Sequence, residues 1–332
     1  MRKKISVKIK NMKTITVTPQ NANQRVDKFV RKWLSDAPLS FIYRIFRKKD
    51  VKVNGKRVQI QYILQAGDVL SVYVNDQQMT DFVTHRRYQK KPLGLPILYQ
   101  DDHCLIVQKP KGLLVQGEAG KVQETLTDKV VAHLYAEGQY DPELPGFIPA
   151  PAHRIDRNTS GLVIYGKTIE GLQALQRLFK DRDDLTKDYL ALVVGHLDGS
   201  GKIDLPLYKD EAKKMVFVAH GRDQGLKALT TYDVVQRYGK FTLVKVHLHT
   251  GRTHQIRVHF QAIQHPVAGD RKYGDFAMNQ YLKQTFQYEH QFLHAQSLSF
   301  GNLTGVLSGL ANRQFTIDLD RIEQDLLVKL TR

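Results

Sequence analysis

The sequence has one cysteine, Cys104, in 332 residues. A single thiol excludes an internal disulfide and leaves no cysteine-based zinc site, and its place in the apolar run CLIV makes it a core residue. Apolar runs of membrane-spanning length are missing too. The opening MRKKISVKIKNMK scatters single apolar residues among basic ones and has no continuous apolar h-region. It reads as neither signal peptide nor membrane span, so a cytoplasmic protein with no membrane partner is expected. Acids are also scarce: 33 Asp and Glu stand against 50 Lys and Arg, a formal net charge of +17. Such a surplus points to a polyanionic partner, nucleic acid before others. With 42% hydrophobic residues the chain can bury a sizeable core, and its length allows about two domains.

What is present centres on nine residues, HRIDRNTSG, from His153 to Gly161. They set the carboxylate of Asp156 between Arg154 and Arg157, ahead of the β-branched run LVIYG. A polar loop feeding a buried strand is a rigid mount for a reactive group. Two neighbouring guanidiniums should favour the ionised carboxylate, which suits a nucleophile or an electrostatic stabiliser better than a general acid. The same residues also fit an Asx-turn, in which Asp156, Asn158, Thr159 and Ser160 bond nearby backbone.

Before this stretch, apolar spacing at Val26, Phe29, Val30 and Trp33 predicts a helix capped by Asn23. A second helix is expected with Ser40 as N-cap, Ile42, Ile45 and Phe46 inward, and Arg44, Arg47 and Lys48 outward. VKVNGKRV signals a hairpin at Asn54–Gly55, and Gly67–Asp68 a turn before VLSVYV. Residues 25–60 hold eleven Lys or Arg and three acids, a density suited to phosphate contact. THRRYQKKPLGL, from Thr84 to Leu95, lacks periodicity and marks a linker. Beyond it come two strands in ILYQDDHCLIVQKPKGLLV, a Pro- and Gly-rich loop at 137–152, and a helix with Leu172, Leu175 and Phe179 on one face. DYLALVVG reads as a buried strand, and a hairpin should turn at Tyr238–Lys240. A helix follows through Ile256, Phe260 and Ile263, with Thr250 as its N-cap. Strands dominate without alternating regularly with helices, so the fold class is α+β, a mixed and largely antiparallel sheet.

Two resemblances sharpen these expectations. RVDKFV, PLSFIYRIFRKKDVKVNGKRV and LQAGDVLSV together resemble the alpha-L RNA-binding fold, over about residues 23–75. Four later segments, KPKGLLV, HRIDRNTSG, KDYLALVVG and HTGRTHQIRVH followed by HPVAGDRKYG, resemble in order the pseudouridine synthases that modify ribosomal and transfer RNA. Ile155 stands where leucine is commoner, and Gly301 and Asn302 where many members have His and Pro. The resemblance implies an isomerase that frees uracil N1 from the ribose, rotates the base and rejoins it through C5, with no cofactor. It implies Asp156 as the catalytic aspartate, Arg257 as its partner and Tyr189 as the aromatic against the target base. Arg154 would fill the space left by a flipped uridine. His153, Arg157, Thr159, Arg252, His254 and Gln255 would bind substrate, as would Arg44 and Lys48 of the first unit.

The expected layout is residues 1–85 as a basic segment plus RNA-binding unit, 86–95 as linker, and 96–332 as the pseudouridine synthase domain. The resemblance of FIYRIFRKKDVKVNGKRV in the amino-terminal unit narrows the expected RNA to that of the large ribosomal subunit, and a monomer is expected. Transfer RNA modification, or a non-catalytic ribosome-associated RNA-binding protein, are the alternatives; the second has no use for a carboxylate facing phosphates. His247, His249, His254 and His259 fall within thirteen residues, but their spacing fits no recognisable zinc pattern, and no metal is expected.

Overall fold

The computed structural model describes residues 11–83, 88–117, 123–144, 146–181, 183–219 and 225–331. The basic opening, in which Ile5, Val7 and Ile9 alternate as in a strand, and residues 84–87, where the expected linker begins, lie outside these. The amino-terminal unit comprises β1 (Asn11–Thr16), α1 (Val26–Trp33), α2 (Leu39–Arg47), β2 (Val51–Val53), β3 (Lys56–Arg57), β4 (Val69–Val74) and α3 (Asp76–Phe82). Its antiparallel sheet runs β1-β4-β2-β3. The helical periodicity sends Val26, Phe29, Val30, Ile42 and Ile45 onto Val51, Leu70 and Val72, which leaves Arg44, Arg47 and Lys48 exposed on the other side of α2. Asn54 (φ 51°) and Gly55 (φ 74°) supply the paired left-handed conformations of a two-residue hairpin.

Two helix starts differ from expectation. Asn23 (φ 58°) makes a left-handed turn and donates its N–H to Leu64, so α1 opens later, at Arg25. Pro38, with φ fixed near the helical value, offers the first carbonyl of α2 and places Ser40 inside the first turn. β1 lies at the sheet edge with no buried side chain, and α3 buries none fully; neither therefore carries an apolar period. Asn21 joins this unit to the rest of the chain, its side-chain oxygen accepting the Phe147 N–H at 2.5 Å.

The remaining elements are β5 (Ile97–Gln100), β6 (Cys104–Lys109), α4 (Leu126–Ala136), β7 (Ala150–Pro151), β8 (Ser160–Gly166), α5 (Ile169–Asp181), β9 (Leu185–Val194), β10 (Ser200–Asp204), β11 (Leu207–Asp210), β12 (Met215–Val218), β13 (Leu229–Tyr238), β14 (Phe241–Leu248), α6 (Gln255–Ala262), α7 (Phe276–Phe286), β15 (Leu293–Phe300), β16 (Gln314–Thr316) and α8 (Arg321–Leu330). A ten-stranded sheet runs β10-β13-β14-β9-β15-β8-β6-β5, with β16 beside β15 and β7 beside β8. Its pairings are antiparallel except β15 with β8, and β11–β12 forms a separate hairpin. The α+β architecture matches the sequence reading. α4 was not foreseen from the sequence: Leu126, Val130, Val131 and Leu134 are all buried, and so broad an apolar surface blurs the helical period.

The register at the sheet centre builds the site. Ala295 on β15 pairs with Gly161 on one side and Tyr189 on the other, so the end of HRIDRNTSG and the tyrosine of KDYLALVVG meet across three strands. Gly161 (φ 125°) permits this approach, since a Cβ there would lie 2.3 Å from the Ala295 carbonyl oxygen. Gly161→Ala is expected to lower the melting temperature by about 5 °C or more, from the cost of a strained, clashing residue. Thermal unfolding followed by circular dichroism checks this, and an unchanged transition would contradict it.

Candidate active site

Asp156 sits in the loop between β7 and β8, on the wall of an open cleft of about 760 Å³. Ile155 before it is buried in the main core and anchors the loop, doing the work of the leucine it replaces. Thr159 Oγ1 accepts from Gln291 Nε2 at 2.7 Å, and Ser160 Oγ meets His294 Nδ1 at 2.9 Å. These hydroxyls bond to distant residues, which departs from the Asx-turn alternative. Beneath the loop, Lys109 is fully buried and donates to the carbonyls of Pro110, Leu113 and Arg157 at 2.8, 2.8 and 3.0 Å. Burial pulls its ammonium down to about 7, against the attraction of Asp156. Gly112 and Arg157 bond reciprocally, the Gly112 N–H to the Arg157 carbonyl and Arg157 Nε to the Gly112 carbonyl. Lys111 reaches Glu323 of α8 at 2.5 Å, the Tyr288 hydroxyl at 2.7 Å and the Gln291 carbonyl at 3.0 Å. The two lysines of KPKG thus fasten the loop from below.

The cation that pairs with Asp156 is Arg257, 101 residues later on α6. Its Nη1 donates to Asp156 Oδ2 at 2.7 Å, while Nε and Nη2 grip Asp270 Oδ2 and Oδ1 at 2.6 and 2.8 Å. Burial works against the guanidinium's charge, but the hydrogen bonds and charge of Asp270, then those of Asp156, outweigh it and raise its pKa. Asp270 is itself buried and also accepts the N–H groups of Lys272 and Tyr273. Arg257 is the partner that the resemblance implied, whereas Arg154 and Arg157, expected from adjacency to favour the ionised carboxylate, do not pair with Asp156 among the described residues. Adjacent side chains in an extended loop diverge, whereas Arg257 approaches from an opposing helix. Arg154 is exposed on the cleft wall, and Arg157 turns its Nε to the Gly112 carbonyl.

The other expected residues divide between cleft and scaffold. Tyr189, on β9, is buried and lines the cleft. His254 enters α6 in a left-handed conformation (φ 54°), with Nδ1 at 2.8 Å from the Tyr273 hydroxyl and Nε2 at 4.0 Å from Asp156 Oδ1. Gln255 is spent inside the protein. Its amide donates to the Leu229 carbonyl and Thr230 Oγ1, while its oxygen accepts from Thr250 Oγ1 and the Arg252 N–H. Both donors and both lone pairs are taken, which assigns it to fixing the loop and not to substrate. Thr250 is likewise no N-cap, because its hydroxyl is held by Gln255. Arg252 lies exposed at the rim, with Nε on the Lys227 carbonyl. His153 stacks on Phe179 at 4.5 Å and accepts the Ile164 N–H, and burial, reinforced by Lys187, pushes its pKa down to about 3. It is a neutral brace for β8. Arg44 and Lys48 stand apart on α2 and do not line this cleft.

Sequence reading missed Asp270, Lys109 and Tyr273 as parts of the site. All three lie in the family-like motifs, Asp270 and Tyr273 in HPVAGDRKYG and Lys109 in KPKGLLV, and that placement was the available signal. The histidine cluster disperses: His247 bridges Asp188 and Asp233, His249 meets Thr231, and His259 meets Thr230 and the Leu205 carbonyl. Among the described residues no group of three or more His, Cys, Asp or Glu is placed to hold a metal ion.

Residues 103–262 match the family model described as RNA pseudouridylate synthase. The chain is 37% identical over 292 residues to ribosomal large subunit pseudouridine synthase C of Vibrio cholerae, an alignment spanning 86% of this chain and 88% of that protein. It is 36% identical over 295 residues to the protein of the same name from Escherichia coli, spanning 87% and 89%. Among solved structures, human RNA pseudouridylate synthase domain containing 4 superposes with a TM-score of 0.56 at 25% identity, covering 70% of this chain and 92% of that one.

The clamp on Arg257 yields a prediction. Asp270→Asn offers one acceptor and one donor to two guanidinium donors, so the buried pair breaks, at about 3–5 kcal/mol of stability. Arg257 also loses the anchor that aims it at Asp156, and the single-turnover rate should fall by roughly tenfold or more. Denaturant unfolding and rapid-quench kinetics measure the two effects. Wild-type values for both would show that Asp270 holds nothing.

Proposed function

The chain belongs to the RNA pseudouridylate synthase family, and from that premise we propose that Asp156 is the catalytic carboxylate and large-subunit ribosomal RNA the substrate. The protein is an isomerase that converts uridine in RNA to pseudouridine. The observation that carries the assignment is the division of the carboxylate: Arg257 holds Oδ2, and Oδ1 faces the cleft. Attack on ribose C1′ and removal of the C2′ proton both require an ionised oxygen at the sugar, held in place before the substrate arrives. The pair with Arg257 supplies the aim. The uracil released from C1′ then turns, C5 bonds to C1′, and the C5 proton is lost as N1 regains one.

Tyr189 supports the base in the pocket and Arg154 fills the stack that the flipped uridine leaves, since its guanidinium is exposed two residues from Asp156. Thr159 and His153 act through the scaffold, while Arg157 and Arg252 present charge at the rim. The relatives from Vibrio cholerae and Escherichia coli bear the name of a large-subunit enzyme and align over most of their length, which supports ribosomal RNA over transfer RNA. Residues 1–85 act as a separate RNA-anchoring domain, joined through 86–95 to the catalytic domain at 96–332. Exposed Arg44, Arg47 and Lys48 on one side of α2 support this role.

Asp156→Asn should abolish pseudouridine formation and leave RNA affinity equal or slightly higher, because one charge repelling phosphate is gone. Pseudouridine mapping of ribosomal and transfer RNA from cells carrying wild type or variant checks both the residue and the substrate. Activity near wild type, or loss of sites confined to transfer RNA, would overturn the corresponding part.

Replacing Arg44, Arg47 and Lys48 together by alanine should weaken RNA binding and lower the slope of log affinity against log salt by roughly 2–3. Filter binding across a salt series measures it. An unchanged slope would remove the anchor role from α2.

A further inference from the structure

Asp156 Oδ1, the oxygen that Arg257 does not take, faces His254 Nε2 across 4.0 Å. That gap is too wide for a direct hydrogen bond, yet one hydroxyl making bonds of roughly 2.8 Å to each side would span it. The ring on the far side has a fixed proton. Val216 N–H donates to the Tyr273 hydroxyl oxygen at 2.9 Å, and Tyr273 is buried, so its own proton goes to His254 Nδ1, 2.8 Å away. The imidazole proton is left on Nε2, facing the gap. Burial, opposed by the charge of Asp156, lowers the pKa of His254, in the same sense as a ring that accepts at Nδ1. The two sides of the gap are therefore unlike, an acceptor in Oδ1 and a donor in Nε2–H. A hydroxyl satisfies both at once, whereas a hydrogen atom satisfies neither.

We propose that His254 and Asp156 Oδ1 form the slot for the ribose 2′-hydroxyl, and that His254 is the residue by which this site distinguishes uridine from 2′-deoxyuridine. The inference rests on the isomerase chemistry assigned to Asp156, which brings C1′ to Oδ1 and with it the hydroxyl on the neighbouring C2′. The hydroxyl donates to Oδ1 and accepts from Nε2–H. Its removal leaves the carboxylate and the imidazole facing each other, too far apart to pair. β12, which supplies the Val216 N–H, thereby contributes to sugar recognition through Tyr273.

The test uses the two amides that mimic different nitrogens of histidine. His254→Gln can place an N–H where Nε2 stood. His254→Asn reaches only the Nδ1 position, but it suits the left-handed backbone better. Glutamine is also tolerated in that conformation here, as Gln264 (φ 64°) and Gln287 (φ 57°) adopt it. Single-turnover rates are measured for wild type and both variants on one RNA made twice, with uridine or 2′-deoxyuridine at the target. The asparagine variant should lose about 10- to 100-fold on the uridine RNA, the worth of a hydrogen bond at a charged site, and under about threefold on the deoxy RNA. The glutamine variant should recover most of the loss. Where the deoxy RNA turns over too slowly to time, the contrast between Gln and Asn on the uridine RNA decides. Equal losses on both RNAs, asparagine matching or exceeding glutamine, or both variants at the wild-type rate overturns the slot. Wild-type turnover of the uridine RNA tests the isomerase reading separately, since it persists whether or not the slot is correct.

Discussion

The guanidinium of Arg257 is the constraint on which the site depends. A buried cation must be compensated, and Asp270 does so with a two-point grip that also fixes the orientation of the fork. The remaining nitrogen, Nη1, reaches Asp156 and takes one of its two oxygens. The carboxylate is thereby held and aimed, with its second oxygen left toward the cleft. Removing either acid would leave the cation under-compensated; removing the cation would leave two acids facing each other.

The fold brings these groups together from four places in the chain. β8 and β15 run side by side because Gly161 lets their backbones touch, and β9 on the other side of β15 delivers Tyr189. α6 carries Arg257 inward, and Tyr273 lies against its guanidinium with the ring centroid at 4.9 Å. Lys109 ties the carbonyl of Arg157 to the loop around Pro110, and Lys111 extends the tie to Glu323 in α8. The carboxyl-terminal helix therefore bears on the Asp156 loop through a buried ion pair, which costs stability when broken and fixes geometry while intact.

Much of this was legible from residue patterns. Helices α1 and α2 of the amino-terminal unit, the Asn54–Gly55 hairpin, the buried β8 and β9, and the β13–β14 hairpin follow from local period and turn chemistry, which act within a few residues. The motif residues Asp156, Tyr189 and Arg257 do converge on one cleft. What stayed hidden was long-range. The neighbours Arg154 and Arg157 looked able to hold the charge of Asp156, yet among the described residues neither pairs with it, because sequence adjacency does not aim side chains at one another; only the motif resemblance pointed to Arg257, 101 residues away. Asp270 and Lys109 appeared as an ordinary acid and a break in an apolar run, since nothing local states that a charge will be buried. Thr250 and Gln255 looked like a cap and a substrate contact, and their mutual hydrogen bond turned both inward.

The most direct measurement is a crystal structure of the protein with an RNA carrying an unreactive analogue at the target uridine. The account predicts Asp156 Oδ1 within about 3.5 Å of ribose C1′ or the C2′ hydrogen, the distance of a reactive approach. It also predicts the base against Tyr189 and the Arg257 bond to Oδ2 intact. A target ribose bound elsewhere, or Arg257 turned away from Asp156 in the complex, would contradict it.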